Sequence, residues 1–173
     1  MWQTTHYTRF PKLSVINDCQ THLILGAVTT RGPSVDVNQF RQLFEKVASQ
    51  FHIEKILGDA GYDSEANHCC ARDEYNVESI IPAKLGRPTL TDKLPKGKYR
   101  RQMRTNFDKE TYGQRWQVET VFSMIKRRFG STIHARSYWA QNREMLLMVL
   151  AHNIGIILFV FIKKLFYRAY LTP

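Results

Sequence analysis

The first apolar runs along the chain are short and rich in β-branched residues. KLSVINDC (12–19) and THLILGAVTT (21–30) are separated by a very short break, as in a hairpin. RGPS then interrupts the pattern. Asp36, with Gln39 three residues on, predicts an N-cap and capping-box pair for a helix over 37–51. Within it Phe40, Leu43, Phe44, Val47 and Phe51 recur at helical spacing. IEKILGDAGY (53–62) reads as a short apolar strand ending in Asp-Ala-Gly. Ser64 is a cap for a second helix over 64–74, and VESIIPA (77–83) is another strand. This βαβαβ alternation predicts an α/β fold with parallel strands.

The pattern changes after residue 83. Residues 84–104, KLGRPTLTDKLPKGKYRRQMR, form a Pro/Gly-punctuated basic loop with eight Lys/Arg and one acid, Asp92. Its plain reading is a solvated loop held extended by self-repulsion. Its functional reading is an arm that tracks phosphates without reading sequence. A helix is expected over 109–129, and an apolar C-terminal helix over 142–166. The core of the latter, MLLMVLAHNIGIILFVFI (145–162), is followed by Lys163 and Lys164, and its length permits a membrane span. His152 and Asn153 at its centre would be costly in mid-bilayer. The preferred expectation is a buried helix closing a soluble core, with no membrane.

Composition narrows the class. At 173 residues and 43% apolar, the chain is long enough for one domain (1–173) and is not disordered by composition. Net charge is +10, unevenly placed: residues 1–80 hold 7 Lys/Arg and 10 Asp/Glu (−3), and residues 81–173 hold 18 and 5 (+13). A basic half on a mildly acidic half points to a polyanion partner. Cys19, Cys69 and Cys70 make a poor disulfide framework, so a reducing, cytoplasmic setting is expected. His68-Cys69-Cys70 lacks a second ligand pair at zinc spacing. MWQTTHYTRFPK has no signal-peptide character.

Candidate chemistry rests on two acids. Asp59 falls at the carboxyl end of an apolar strand, where sites gather in open α/β sheets, although Asp before Gly is also a common turn signal. Glu119 lies in TYGQRWQVETVFSMIKRR (111–128). On a continuous helix Tyr112, Arg115, Glu119 and Lys126 would share one stripe about 60° wide. Surface ion pairing explains such a stripe blandly, since Arg115 and Glu119 are i,i+4 neighbours. Trp116, Val118, Val121, Phe122 and Ile125 offer a separate apolar face. A carboxylate among cations can face a phosphodiester only with a divalent cation between them.

These residues carry a resemblance. Tyr112-x2-Arg115-x3-Glu119-x6-Lys126 resembles the Tyr-Arg-Glu-Lys signature of DDE transposases from bacterial and archaeal insertion sequences. DAGYDSEANH (59–68), IIPAK (80–84), YRRQM (99–103) and LAHN (150–153) are similar to the same family in the right order. The resemblance covers about Lys12 to Asn153. It implies a ribonuclease H-like catalytic core with a C-terminal helical segment. Asp59 and Glu119 would be catalytic and metal-binding. Tyr112, Arg115, Lys126, Arg127, Arg128, Arg100 and Arg101 would contact DNA. The implied cofactor is Mg²⁺ (or Mn²⁺), and the implied reaction is metal-dependent strand cleavage and transfer in DNA transposition and recombination. Transposon ends and target DNA would be the partners, and a homodimer is compatible with the pattern.

The chain departs from the family pattern in one respect. The family's first Asp lies on a central strand ahead of the hairpin, and neither Asp18 nor Asp36 occupies such a place. The expectation is an incomplete domain lacking that Asp, its strand and any N-terminal end-recognition domain, with impaired or absent activity. Mg²⁺-dependent nicking of transposon-end DNA by this chain alone would overturn that expectation. Two alternatives stand beside it. One is a non-catalytic DNA-binding remnant, which salt-insensitive or absent duplex binding would remove. The other is a small membrane-associated protein anchored by 145–162, which recovery in the soluble pool would remove.

Overall fold

The computed structural model describes residues 10–84 and 94–171. The chain divides into two compact units, Met1–Gly32 with Gln117–Pro173, and Pro33–Trp116.

In the first unit, β1 (Phe10–Asn17) and β2 (Ile24–Gly32) form an antiparallel hairpin with Phe10 opposite Gly32 and Val15 opposite Ala27. The register shifts between Ile16 and Asn17, one residue before the turn. Asp18 organises that turn: its Oδ2 accepts from the Thr21 N–H (2.8 Å) and the Thr21 hydroxyl (2.5 Å). The break between the apolar runs is therefore an Asp-stabilised turn. His22 takes a left-handed conformation there (φ 61°).

Helix α5 (Trp116–Phe129) and helix α6 (Tyr138–Leu171) complete this unit. Val121 and Ile125, one turn apart, bury against Ile24 and Val149, with Leu13, Val15 and Ala27 of the hairpin packed around them. Gly130 ends α5 at φ +88°, its N–H reaching the Lys126 carbonyl at 2.9 Å. A residue with a Cβ would be strained in this left-handed cap. Two polar side chains fasten α6 to the hairpin. Asn153 donates to the Ile24 carbonyl (2.8 Å) and accepts from the Ile24 N–H (2.9 Å). His152, fully buried, places Nε2 3.0 Å from the His22 carbonyl. The expectation of a buried C-terminal helix needs correction. Met145, Val149, His152 and Ile156 are buried, and residues 157–166 are all exposed. Only one stripe of the helix meets the hairpin.

In the second unit, the apolar positions anticipated for the first helix do form its inner face. Phe40, Leu43, Phe44 and Val47 of α1 (Phe40–Ala48) are buried at i, i+3, i+4 and i+7. The start differs from expectation. Asp36–Gln39 is a separate 3-10 turn with Val35 as its N-cap, Gln39 is the N-cap of α1, and neither end has a side-chain cap bond, so the capping box is not formed. Phe51, beyond the helix, is exposed. Strands β3 (Lys55–Leu57) and β4 (Glu78–Ile80) pair in parallel, Ile56 opposite Ser79. They are joined through α2 (Glu65–Cys69) and a π-helical turn at Cys70–Glu74. Ser64 occupies the N-cap position of α2 without a side-chain bond.

The alternation is thus mixed α/β, but among the described residues it builds two two-stranded sheets rather than one. Part of the expected basic loop, 85–93, lies outside the described residues. Of the rest, Lys98–Thr105 is helix α3 rather than loop, followed by α4 (Lys109–Gly113).

Candidate active site

Asp59 stands directly after the β3–β4 ladder, which the Gly58 N–H extends by one bond to the Ile80 carbonyl (3.2 Å). A three-residue strand, Lys55–Leu57, delivers its backbone, and its side chain is exposed. One oxygen is used locally: Oδ1 accepts from the Gly61 N–H at 2.7 Å, capping the 3-10 turn Ala60–Tyr62. Gly61 sits close to two acidic side chains. A Cβ there would lie 2.8 Å from Asp59 Oδ1 and 3.2 Å from Asp36 Oδ2. Two carboxylates, 23 residues apart in sequence, therefore flank the same glycine. Asn67 ties the two segments together, its Nδ2 donating to the Val37 (3.1 Å) and Tyr62 (2.9 Å) carbonyls. Sequence reasoning placed Asp36 only as a helix cap. The approach of Asp36 to Gly61 is a signal that becomes readable only in three dimensions.

Beneath this turn lies a buried polar network. Asp63, fully buried, accepts from Arg100 Nε (2.9 Å) and Nη2 (2.7 Å) and from the Lys84 N–H (2.7 Å). Glu65 caps α3, accepting from the N–H groups of Tyr99 (2.9 Å) and Arg100 (3.1 Å). Its carboxylate fills the space over Gly97, where a Cβ would come within 2.0 Å of Oε2. The YRRQM run is thus helical because an anion sits at its N-terminus. Arg100, expected on DNA, directs its fork to Asp63 in the structure. Arg101 remains on the exposed face, with Nε 3.4 Å from the Pro95 carbonyl.

His68 adjoins the same network. Its Nδ1 meets the Ser79 hydroxyl at 2.7 Å, Arg72 Nε donates to that hydroxyl (3.0 Å), and Asp63 Oδ1 stands 3.9 Å from Nε2. Burial, followed by the Arg72 charge, pushes the His68 pKa down, against the opposing pull of Asp63 and Glu65; Arg100 adds to the lowering. The folded state therefore holds His68 neutral, whereas the unfolded chain titrates near 6.5. Between the lowered folded pKa and about 6.5 the unfolded state binds more protons, so stability falls as pH falls through this window. Urea unfolding at pH 7.5 and pH 5.5 should show that loss, and His68→Gln should reduce it.

The signature helix is interrupted. Asp108 caps α4 by accepting from the Thr111 N–H (2.9 Å), and these Thr111 bonds hold its carboxyl below the usual range. After Gly113 the bonds tighten to i→i+3: Gln114 N–H to Thr111 O (3.0 Å) and Arg115 N–H to Tyr112 O (2.9 Å). Tyr112 sits edge-on to Phe107 (4.9 Å between centroids), and the Arg115 guanidinium lies 6.0 Å from the Tyr112 ring. Beyond the turn, Glu119 and Lys126 are exposed on α5, two turns apart on one face. Lys126, Arg127 and Arg128 crowd its last turn, where the helix dipole favours cations. Arg128 extends over Gly155 of α6, leaving 2.4 Å between Nη1 and a Cβ built there. Asp59, Tyr112 and Arg115 belong to one compact unit, and Glu119, Lys126, Arg127 and Arg128 to the other.

The donor chemistry at these positions suits a hard divalent cation. Asp59 and Glu119 are surface carboxylates, and Asp36 adds a third acid beside Gly61. Other clusters fit less well. Glu45, Cys70 and Glu74 bring donor atoms within 4.8 Å of one another. Arg41 already serves that pair, however, with Nε 2.7 Å from Glu45 and Nη2 2.6 Å from Glu74. Burial pushes the Cys69 and Cys70 thiols up, away from the thiolate that a metal needs. The His68-Cys69-Cys70 corner is therefore structural.

No curated protein and no solved structure matches the chain. A family profile does: that of the "Transposase DDE domain" matches residues 1–154, which include Asp59, Glu119 and the segment joining them. That family generally uses divalent metal ions, and its partner is DNA. With most of its length matched, the chain belongs to the transposase DDE domain family.

Proposed function

We propose that this chain engages duplex DNA through its basic second half and that Asp59 and Glu119 hold Mg²⁺ (or Mn²⁺) against the phosphodiester. The observation that carries the proposal is Asp59. It is an exposed carboxylate at the carboxyl end of a parallel strand, fixed by one N–H bond and leaving its second oxygen for a ligand. A bound divalent ion would supply Lewis-acid activation and charge neutralisation for phosphoryl transfer. The chain's own residues then have distinct tasks. Asp59 and Glu119 provide the anionic ligands. Tyr112 and Arg115 precede α5 in sequence, and Arg115 supplies a fork suited to phosphate. Lys126, Arg127, Arg128 and Arg101 neutralise backbone charge. Arg100 positions Asp63 beneath the Asp59 turn. The fold we assign is the ribonuclease H-like core of the Tyr-Arg-Glu-Lys transposases.

A third triad carboxylate is not assigned. Asp18 is committed to the hairpin turn, and Asp36 packs beside Gly61 rather than on a strand. The activity expected of this chain by itself is DNA and cation binding with little or no strand cleavage.

Duplex binding followed by fluorescence polarisation tests the reading. With about six phosphate contacts, affinity should fall roughly 10³-fold as salt rises from about 50 to about 200 mM. Lys126→Ala/Arg127→Ala/Arg128→Ala should lower the log–log salt slope by about 3. Binding that is absent or insensitive to salt would remove DNA engagement from the account.

A further inference from the structure

A cavity of about 380 Å³ lies in the second unit, at the opposite end of the β3–β4 ladder from Asp59. Two loops line it, and each leads directly into a strand: residues 48–53 into β3, and residues 75–77 into β4. Both loops are pinned. The Gln50 and Phe51 N–H groups reach the Val47 carbonyl (3.0 and 2.9 Å), and the Val77 N–H reaches the Ala71 carbonyl (2.8 Å). The Glu78 N–H crosses between the loops to the Glu54 carbonyl (3.0 Å). The Tyr75 ring stands edge-on to the fully buried Phe44, with 5.4 Å between centroids. The cavity is thus pre-formed, and its size is that of a small-molecule site.

The fold leaves several features of this lining unexplained. Phe51, whose spacing predicts a core position, is 43% exposed, and Tyr75 is 38% exposed. Asn76 holds φ 55°, a left-handed conformation that glycine would adopt at lower cost. An amide is kept there nonetheless. The side-chain amides of Gln50 and Asn76 and the His52 ring make no hydrogen bond among the described residues. The lining contains no Lys, Arg, Asp or Glu.

We infer that this cavity binds an uncharged nucleoside of the adenosine class, a purine bearing an exocyclic amine. The Phe51 and Tyr75 rings offer stacking faces to a flat heteroaromatic, and the buried Val77 adds apolar floor. A side-chain amide pairs one donor with one acceptor, the pattern that meets the ring nitrogen and amine along one edge of an aminopurine. A purely apolar guest would displace water from those amides and leave them unpaired. A phosphate or carboxylate would find no cation in the lining. The inference is independent of the DNA reading, since it uses none of the residues assigned there.

Adenosine titrated into the full chain should give saturable shifts of the amide resonances of residues 48–53 and 75–77. The expected dissociation constant is on the order of 0.1 mM, ordinary for a ligand of this size. Inosine, in which a carbonyl replaces the amine, should bind about 10-fold weaker or worse. Adenosine monophosphate should bind no tighter than adenosine. Phe51→Ala should weaken adenosine about 10-fold through lost stacking. Asn76→Gly suits the left-handed backbone and removes only the amide, so it should cost about 10-fold as well. Resonances outside the two loops should be unchanged in both variants. Phe159→Ala, at an exposed phenylalanine of α6, should bind adenosine as the wild type does. Absence of shifts in the two loops overturns the proposal, as does inosine binding equal to adenosine. Affinity unchanged in Phe51→Ala and Asn76→Gly, or lowered equally by Phe159→Ala, also overturns it. A single-stranded deoxyadenosine decamer that shifts the same resonances at lower concentration than adenosine overturns it in favour of a polynucleotide.

Discussion

Arg100→Ala is expected to lower unfolding stability by about 3–5 kcal/mol, the cost of stranding a buried charge after its partner is removed. The charge left behind is Asp63, whose side chain is fully buried and takes three of its bonds from Arg100. Among the described residues, the Lys84 N–H and the distant His68 ring would remain beside it. The effect should appear as a lower urea midpoint in the absence of DNA. Arg101→Ala is the comparison. Its side chain is on the surface, so stability should change by no more than about 0.5 kcal/mol while duplex affinity falls. Equal stability of the two variants would mean that Arg100 is a surface cation after all. Asp63→Asn should rank close to Arg100→Ala, because it leaves the guanidinium without its carboxylate. Arg100→Lys should restore part of the loss only, since an ammonium cannot make the forked contact.

Asp59→Asn and Glu119→Gln should each reduce Mn²⁺ affinity of the DNA complex by about 100-fold or more, given that even residues behind the ligands of metal sites are worth 10–100-fold. The double variant should bind metal no worse than the weaker single one. Ligands of one ion act as a unit, so removing the second costs little once the first is gone. Electron paramagnetic resonance of free Mn²⁺ reads this directly. Duplex affinity measured without metal should stay the same or rise, because each substitution removes a negative charge that the proposal sets against phosphate. Additive losses in the double variant would place the two carboxylates at separate ions.

Much of this was legible before any coordinates, and the failures have physical causes. The α1 face was readable because Phe40, Leu43, Phe44 and Val47 satisfy a period that only a half-buried helix needs. The placement of Asp59 followed from a short apolar run meeting a Gly turn. Family membership was readable from a resemblance spread along the chain, from DAGYDSEANH (59–68) to LAHN (150–153). Gly113, the last residue of α4, was the one available warning of the break between α4 and α5. The pairing of Arg100 with Asp63 was not legible. A cationic run looks the same whether it faces phosphate or a buried acid, and Asp63 is 37 residues away. The exposure of α6 was equally hidden, because apolar sequence fixes what a helix must cover and not what covers it. Asp36 beside Asp59 depends on the fold of two loops around Gly61, and no local pattern encodes that approach.

One measurement tests most directly the proposal that Asp59 and Glu119 bind a divalent ion at the DNA. Fe²⁺ replaces Mg²⁺ in the duplex complex, and ascorbate with peroxide then generates hydroxyl radicals that cut the polypeptide beside the bound metal. The account predicts cuts next to both residue 59 and residue 119, competed by Mg²⁺ and lost together in either Asp59→Asn or Glu119→Gln. Cutting at only one of the two, or around Glu45 and Glu74 instead, would contradict it.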